Sequence, residues 1–454
     1  MKKLSYKTII LAAACLLLPG CSDDAADAIE QPVTPPTAEL VGDSEVEIKL
    51  SSNSSTVTRA GGLYEERDEN GELTGKFSTL SWRRLGVFCL ATGKQPEATT
   101  APTPVWSNSE DKLNVLMWNQ HAQVNVEDGG VALDNTKPYF YPANNMYRYS
   151  FYAYHMSNAS QATPVLSDDG NQILIQKQNI DGREDVIWGK AGYDYNMLAS
   201  DEHLPYAYSA KYFRQKGAEA DNFLPNIQLE HILSRFTFSV VVGDEGARNM
   251  RITSVGLADM PTKFDMVLAD NTQPEKEGGI SKVYLNEEVT GEDGEVETTS
   301  LLTEFLLYGR RVYETESGYE EQFTSNKLVM TIPSDAEVGS VYPFTNDHHG
   351  TFATKESIED DTFVQSEEPC ILAIPGLENI SGPDGNNLGY KLHIVMYDSR
   401  ENRFESIQAL PVPTAGFERG KTYNVKITVY GPQQIKLTAT VKGWEEGNDI
   451  EIEL

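Results

Sequence analysis

From residue 45 onward the chain is built of short runs rich in Val, Ile, Thr, Tyr and Phe, broken repeatedly by Gly, Asn, Asp and Pro. Val46, Ile48 and Leu50 alternate with Glu45, Glu47 and Lys49, a period of two that places the apolar side chains on one face of a strand. Residues 85–90, 114–118, 147–154 and 172–176 continue the series, and 236–242, 249–257, 327–332, 390–397, 403–410, 423–430 and 435–442 extend it. β-Branched and aromatic side chains suit a pleated, half-buried surface. Residues 283–305 read as a hairpin around Glu292, Asp293 and Gly294, an acidic excursion expected to be exposed. Helical periodicity is scarce, so the expected fold is all-β, made of antiparallel sandwiches and not of a parallel sheet with crossover helices. The polar start at Gln228, the pause at Ser234 and the alternation of Phe236, Phe238, Val240 and Val242 place a boundary near residue 228. Two tandem sandwiches result, over residues 45–228 and 229–454.

The residues before the first strand carry an address. Lys2, Lys3 and Lys7 precede an apolar stretch over 9–18, short for a membrane span but fitting a signal peptide. Leu18, Pro19, Gly20 and Cys21 end it as a lipoprotein cleavage pattern does, with a Leu three residues before the cysteine and a small residue just before it. Residues 1–20 are then the leader, and Cys21 is the lipidation site. Its sulfur takes a diacylglycerol and its freed amine is acylated in turn. At about 0.8 kcal/mol per buried methylene, several chains anchor firmly where one is marginal. The alternative is an ordinary secretory leader cut elsewhere; Cys15 is a poorer site, because Ala12 stands where Leu belongs. Ser22, Asp23 and Asp24 resemble the acidic surface-export tag of lipoproteins in the Bacteroides group. The expected location is the surface of the outer membrane. Residues 21–44, with Pro32, Pro35 and Pro36, form a semi-extended tether.

More than four hundred residues remain after the leader, enough for two domains with ample cores. The formal net charge of −31 repels nucleic acid and anionic lipid, so no nucleic-acid partner is expected. Cys89 and Cys370 are the cysteines left after Cys15 and Cys21, and each sits in an apolar run as a small buried hydrophobe does; a bridge between them would have to join distant parts of the chain. His231, set among apolar residues, reads as a structural histidine at the domain seam. His348 and His349 are adjacent and lack a spaced third ligand, so no metal is expected there. Phosphate loops, zinc-protease helices and serine elbows are missing, and acidic pairs such as Glu184 with Asp185, or Glu445 with Glu446, do not single out a general acid and base. No enzyme activity and no cofactor are expected. The aromatic block 139–154 has the composition to stack on sugars; its alternation reads instead as one face in the core, with tyrosines of the other facing water. Trp444 reads as an anchor for the last strands.

Four segments together resemble the fimbrillin family, the lipoprotein-type pilus subunits of Bacteroidia. They are Thr58, Arg59 and Ala60 after the first strand; Tyr141, Pro142 and Ala143 followed by Phe151, Tyr152, Ala153 and Tyr154; residues 229–235 around His231; and Gly420, Lys421, Thr422 and Tyr423 with the closing Gly443 and Trp444. The resemblance implies Greek-key, transthyretin-like sandwiches and no catalysis. It also implies export as a lipoprotein through a signal peptidase, then a cut by an Arg-specific protease. The bond between Arg59 and Ala60, beside the flexible Gly61 and Gly62, would be that cut. The strand carrying Val46, Ile48 and Leu50 would be displaced, and a strand from another fimbrial subunit would fill its groove. Ile450, Ile452 and Leu454, alternating with Asp449, Glu451 and Glu453, are the candidate donor strand; equally, that segment stays home and closes its own sandwich. The functions implied are a stalk, tip or accessory subunit of a fimbria supporting adhesion and biofilm, or alternatively a monomeric surface lipoprotein that binds a glycan or host ligand.

Overall fold

A computed structural model describes residues 45–52, 64–67 and 73–78, then 85–450 with breaks at 108–112, 125–129, 135–137, 144, 157–162, 184, 194–197, 291–294, 316–317, 325–329, 345–362, 367–368, 432–434 and 443–448. The all-β expectation holds: strands dominate, and the one α-helix among the described residues is α1 (Ala210–Lys216).

The first unit is a closed barrel and not an open sandwich. Its seven strands run in the order β1 (Leu50–Ser52), β11 (Asn226–His231), β10 (Val186–Ala191), β7 (Tyr147–Met156), β4 (Leu85–Lys94), β5 (Val115–Val124) and β6 (Gly130–Leu133), with β6 returning to β1. Closure depends on β1, which pairs in parallel with β11 and antiparallel with β6. Leu85, Val87 and Cys89 of β4, Tyr149, Phe151 and Ala153 of β7 and Ile187 of β10 form the interior core with Ile48, Leu50, Ile227 and Leu229. The aromatic side chains that flank α1 complete it: Tyr141 stacks on Phe213 at 5.3 Å and Phe151 meets Tyr208 edge-on at 5.9 Å. Ser209 caps α1 by accepting from the Tyr212 amide at 3.3 Å, an N-cap use of serine.

The outer faces of β4, β7 and β10 are buried as well. Phe88, Leu90, Tyr152, Tyr154, Val186 and Trp188 belong to a second core that continues into the rest of the chain. This corrects the expectation that tyrosines of the 147–154 run face water, since Tyr152 and Tyr154 are as buried as Tyr147 and Tyr149. A strand covered on both faces reads as a continuous apolar run.

The cover is a four-stranded sheet shared by both halves of the sequence. β8 (Pro164–Leu166) and β9 (Gln172–Asn179) come from the first half, β14 (Lys263–Asp270) and β15 (Gly279–Tyr284) from the second, and β9 pairs with β14 from Lys263↔Asn179 to Asp270↔Gln172. Ile173, Ile175, Phe264, Met266 and Leu268 of this sheet are fully buried in the same core as Trp188. The Trp188 indole donates to the Leu268 carbonyl at 2.8 Å.

The second unit packs two further sheets. One contains β12 (Ser234–Val242), β22 (Val341–Pro343), β24 (Cys370–Ala373), β27 (Thr422–Val429), β28 (Ile435–Lys442) and β29 (Asp449–Ile450). The other contains β13 (Arg251–Pro261), β18 (Leu302–Leu306), β21 (Met330–Thr331), β25 (Lys391–Tyr397) and β26 (Arg403–Ala409). Phe236, Phe238 and Val240 of β12 and Tyr423, Val425 and Ile427 of β27 share a core with Leu257 of β13 and Leu392 and Ile394 of β25, and Phe236 lies 5.0 Å from Tyr390 and 5.3 Å from Phe417. Smaller pairings are β2 (Tyr64–Arg67) with β3 (Leu73–Ser78), β16 (Asn286–Thr290) with β17 (Val296–Ser300), and β19 (Gly309–Thr315) with β20 (Gly318–Thr324) and β23 (Phe363–Ser366). The β16–β17 pair is the hairpin expected over 283–305, mostly exposed on both strands; Glu292, Asp293 and Gly294 lie outside the described residues.

Purely antiparallel pairing does not hold. β12 runs parallel to β27 from Arg235↔Thr422 to Val242↔Val429, as β1 does to β11. In each unit the first strand is joined by a long crossover to a late one, which hairpin connections cannot do. The barrel ladder ends with His231 and the next sheet begins at Ser234, so the chain passes between units at Ile232 and Leu233, both buried. Cys370 is half-buried, unlike the fully buried Cys89.

On the outer face of the β13–β25 sheet, His393 is held between two carboxylates. Its Nδ1 lies 2.5 Å from Glu304 Oε1 and its Nε2 lies 2.8 Å from Glu405 Oε1. Glu304 crosses β13 at Gly256, where an added Cβ would lie 2.6 Å from the carboxylate. Burial pulls the imidazolium pKa down, but the bonds and charges of Glu304 and Glu405 outweigh it and hold it above 6.5. Arg403 bonds Glu405 from the neighbouring position, and the Lys391–Asp259 pair stands nearby on the same sheet. A pKa raised by folding stabilises fully below the unfolded value and is lost as pH rises through the folded value. The melting temperature should therefore fall as pH rises from about 6.5 through the raised folded-state value, and His393→Gln should flatten that limb in thermal scans. Glu405, whose pKa is lowered by Arg403 and then His393, acts in a separate window below its ordinary range.

Candidate functional site

Among the described residues the barrel's ladders are shortest where β1 closes it. Among these residues the strand covers three positions and makes two register pairs on each side, Leu50↔Val131 and Ser51↔Gly130 with β6, and Ser51↔Asn226 and Ser52↔Ile227 with β11. Residues ahead of it extend the closure: Ile48 donates to the Tyr139 carbonyl at 2.8 Å, and Tyr141 donates to the Val46 carbonyl at 3.0 Å. The Ser51 amide donates to the Pro225 carbonyl at 2.9 Å. Period-two alternation then decides which side chains enter. Ile48 and Leu50 are each 4% exposed and Val46 is half-buried, whereas Glu45, Glu47 and Lys49 face solvent. Lys49 Nζ lies 3.4 Å from Asp221 Oδ1, both side chains exposed. Burial of Ile48 and Leu50 stabilises the closure by about 1.5–3 kcal/mol each.

Removal of this segment would leave a slot bordered by the amides and carbonyls of β6 and β11 and floored by Val131, Tyr141, Ile227 and Leu229. Unpaired strand edges of this kind template pairing with another chain. The flanking ladders also set direction, because a replacement in the same orientation runs parallel to β11 and antiparallel to β6.

A second constellation holds the seam between the units. His231 Nδ1 lies 2.9 Å from Asp185 Oδ2, with side chains 8% and 0% exposed. Arg419 donates to the Gly278 carbonyl at 2.7 Å and to Glu230 Oε2 at 2.8 Å, and also bonds Glu277. His231 is thus a structural residue, and Asp185, read from sequence as one acid among many, is its buried partner. A question put to the sequence about what satisfies a histidine between Glu230 and Ile232 would have pointed to the carboxylate beside the apolar run of β10.

Val46, Ile48 and Leu50 are therefore brought together at the slot. Ile450 lies elsewhere, in β29 at the edge of the second unit, opposite Val441 of β28. Cys21, Arg59, Ala60, Ile452 and Leu454 lie outside the described residues, as do His348, His349 and Trp444. Among the described residues, no group of three His, Cys, Asp or Glu side chains is placed to hold a metal ion, and no helix is long and apolar enough to cross a membrane.

No protein-family model matches the chain, and no curated protein matches it. Solved structures do. A fimbrial protein from Bacteroides vulgatus is 12% identical, with 88% of this chain and 99% of that one covered and a TM-score of 0.40. The tip fimbrial protein Mfa3 of Porphyromonas gingivalis, solved with a C-terminal truncation, is 8% identical over 88% and 100% of the two chains, with a TM-score of 0.32. The fimbrial anchor protein Mfa2 of the same organism is 9% identical over 87% and 96%, with a TM-score of 0.25. The chain is thus similar in its structure to fimbrial proteins of Bacteroides and Porphyromonas.

Proposed function

We propose that the chain is a subunit of a cell-surface fimbria, as stalk, tip or accessory component, and supports adhesion. In this reading it reaches the outer membrane as a lipoprotein through Cys21 and is cut after Arg59, and the opened barrel accepts a strand from a neighbouring subunit. The observation that carries the reading is the contrast between the first strands of the two units. β12 is locked into its sheet by eight parallel register pairs, whereas β1, among the described residues, closes its barrel with two pairs on each side, ahead of the Arg59-Ala60-Gly61-Gly62 step in the sequence. A strand held that lightly closes the fold until one cut releases it.

Treatment of the folded chain with a trypsin-like protease is expected to give a new N-terminus at Ala60 and, with partner subunits present, oligomer ladders that survive mild detergent. A chain cut there that never assembles overturns the reading. Deletion of residues 449–454 tests the donor. Among the described residues β29 adds the pairs Val441↔Ile450 and Lys442↔Asp449 to its own sheet, and if the segment is the donor its deletion is expected to abolish assembly while the rest stays folded. Global unfolding would instead assign the segment to its own sheet.

One observation favours the second reading, a monomeric surface lipoprotein that binds a glycan or host ligand. A cleft of about 620 Å³ lies beside the shared sheet, lined by Ile232, Val267, Ile280 and Ile374 with Lys276 and Arg419, a volume that suits a small ligand.

A further inference from the structure

Resting on the strand-exchange reading, we infer that the slot selects its partner by charge: it takes a strand with a basic side chain at the outward position now held by Lys49, and so a different subunit rather than the C-terminal segment of a second copy. The side chain at position 49 points away from the barrel core, between the buried positions 48 and 50. Asp221 waits there, 3.4 Å from the ammonium. It belongs to the 217–223 turn, whose chain runs directly into Pro225, the residue that accepts the Ser51 amide. The carboxylate is therefore tied to the slot's own edge and stays when the strand leaves.

A replacement strand keeps its apolar residues inward only if its register shifts by an even number of residues, because side chains alternate with a period of two. With Ile450, Ile452 and Leu454 in the places of Val46, Ile48 and Leu50, Glu453 falls at the Lys49 position. Shifted by two residues, Glu451 falls there instead. Either register sets a carboxylate against Asp221. The chain's own segment fits the apolar sites but carries the wrong charge at the rim. Directed binding to a basic segment follows the general rule that specificity combines an attractive fit with a repulsive mismatch.

The test uses the full chain with a specific protease site introduced between β1 and β2, cut after folding, and a fluorescent peptide of residues 45–52 competing with the cut strand. The peptide with Lys49 is expected to bind about tenfold more tightly than its Lys49→Glu version at low salt, a difference that shrinks in 1 M salt as exposed charges are screened. Asp221→Lys should reverse the preference, and Asp221→Asn should abolish it. A peptide of residues 449–454 should bind as weakly as the Glu version. Equal binding of the Lys and Glu peptides at low salt, with the fold intact, overturns the charge selection and leaves strand exchange standing. Failure of every peptide to enter the cut, folded protein overturns strand exchange itself.

Discussion

A chain with aspartate in place of both Ile48 and Leu50 is expected to lose the closed barrel while the second unit stays folded. Each replacement forfeits about 1.5–3 kcal/mol of burial. It also sets a carboxylate in the apolar interior beside Val131, Tyr141 and Ile227, where an unpaired charge costs several kcal/mol more. The sum exceeds what a three-residue strand with two register pairs on either side can offset. Hydrogen exchange is the measurement. Amides of β6 and β11 next to the slot should lose protection, and those of β12, held by its eight-pair ladder to β27, should keep it. Unchanged protection at residues 130–131 and 226–227 would show that β1 does not close the barrel. The substitution also imitates the cut state without protease, so the doubly substituted chain should accept the 45–52 peptide.

Trp188→Ala is the second large effect, and it acts on the join between the halves. The indole is fully buried between the barrel wall and the shared sheet, and its N–H donates to the Leu268 carbonyl at 2.8 Å. Truncation of a buried aromatic side chain to alanine costs about 3–5 kcal/mol, because the cavity relaxes only in part. The tight fit at this point leaves little room for relaxation: even a Cβ on Gly278 would fall 2.2 Å from the indole nitrogen. Thermal unfolding should shift down by about 5 °C for a chain of this size. Trp188→Phe, which keeps most of the ring but loses the donor, should cost about 1 kcal/mol for the hydrogen bond and a smaller packing loss. A shift of only a degree or two for the alanine variant would mean that the halves are joined elsewhere.

The same tryptophan marks the limit of what could be read in advance. Strands at 85–90, 147–154, 236–242, 390–397 and 423–430 were legible because alternation and β-branched or aromatic residues are local signals, whereas the strand expected over 46–50 forms at Leu50–Ser52, with an isolated bridge from Glu47 to Phe140 ahead of it. The apolar side chains of the slot were legible for the same reason. Three features were not. The pairing of β9 with β14 joins residues about ninety apart across the expected boundary. The parallel ladders of β1 with β11 and β12 with β27 depend on crossovers that leave no local mark. The buried outer face of β7 looked like a solvated tyrosine face, because a tyrosine that points to water and one that points to a second sheet share the same alternation.

By itself the amino-acid sequence determined that this chain is all-β, where its principal strands lie, and which side of the first strand is apolar. It also carries the acidic C-terminal alternation, and the run from Leu18 to Cys21 on which the lipoprotein expectation rests. Only the tertiary structure decided that the first strand is the closing piece of a barrel, that Asp221 faces Lys49 across that closure, that Asp185 satisfies His231, and that one sheet belongs to both halves. The reason is physical. A side chain's direction along a strand follows from its neighbours one and two residues away, whereas the identity of the strand beside it is settled by the burial and hydrogen bonding of the whole chain at once.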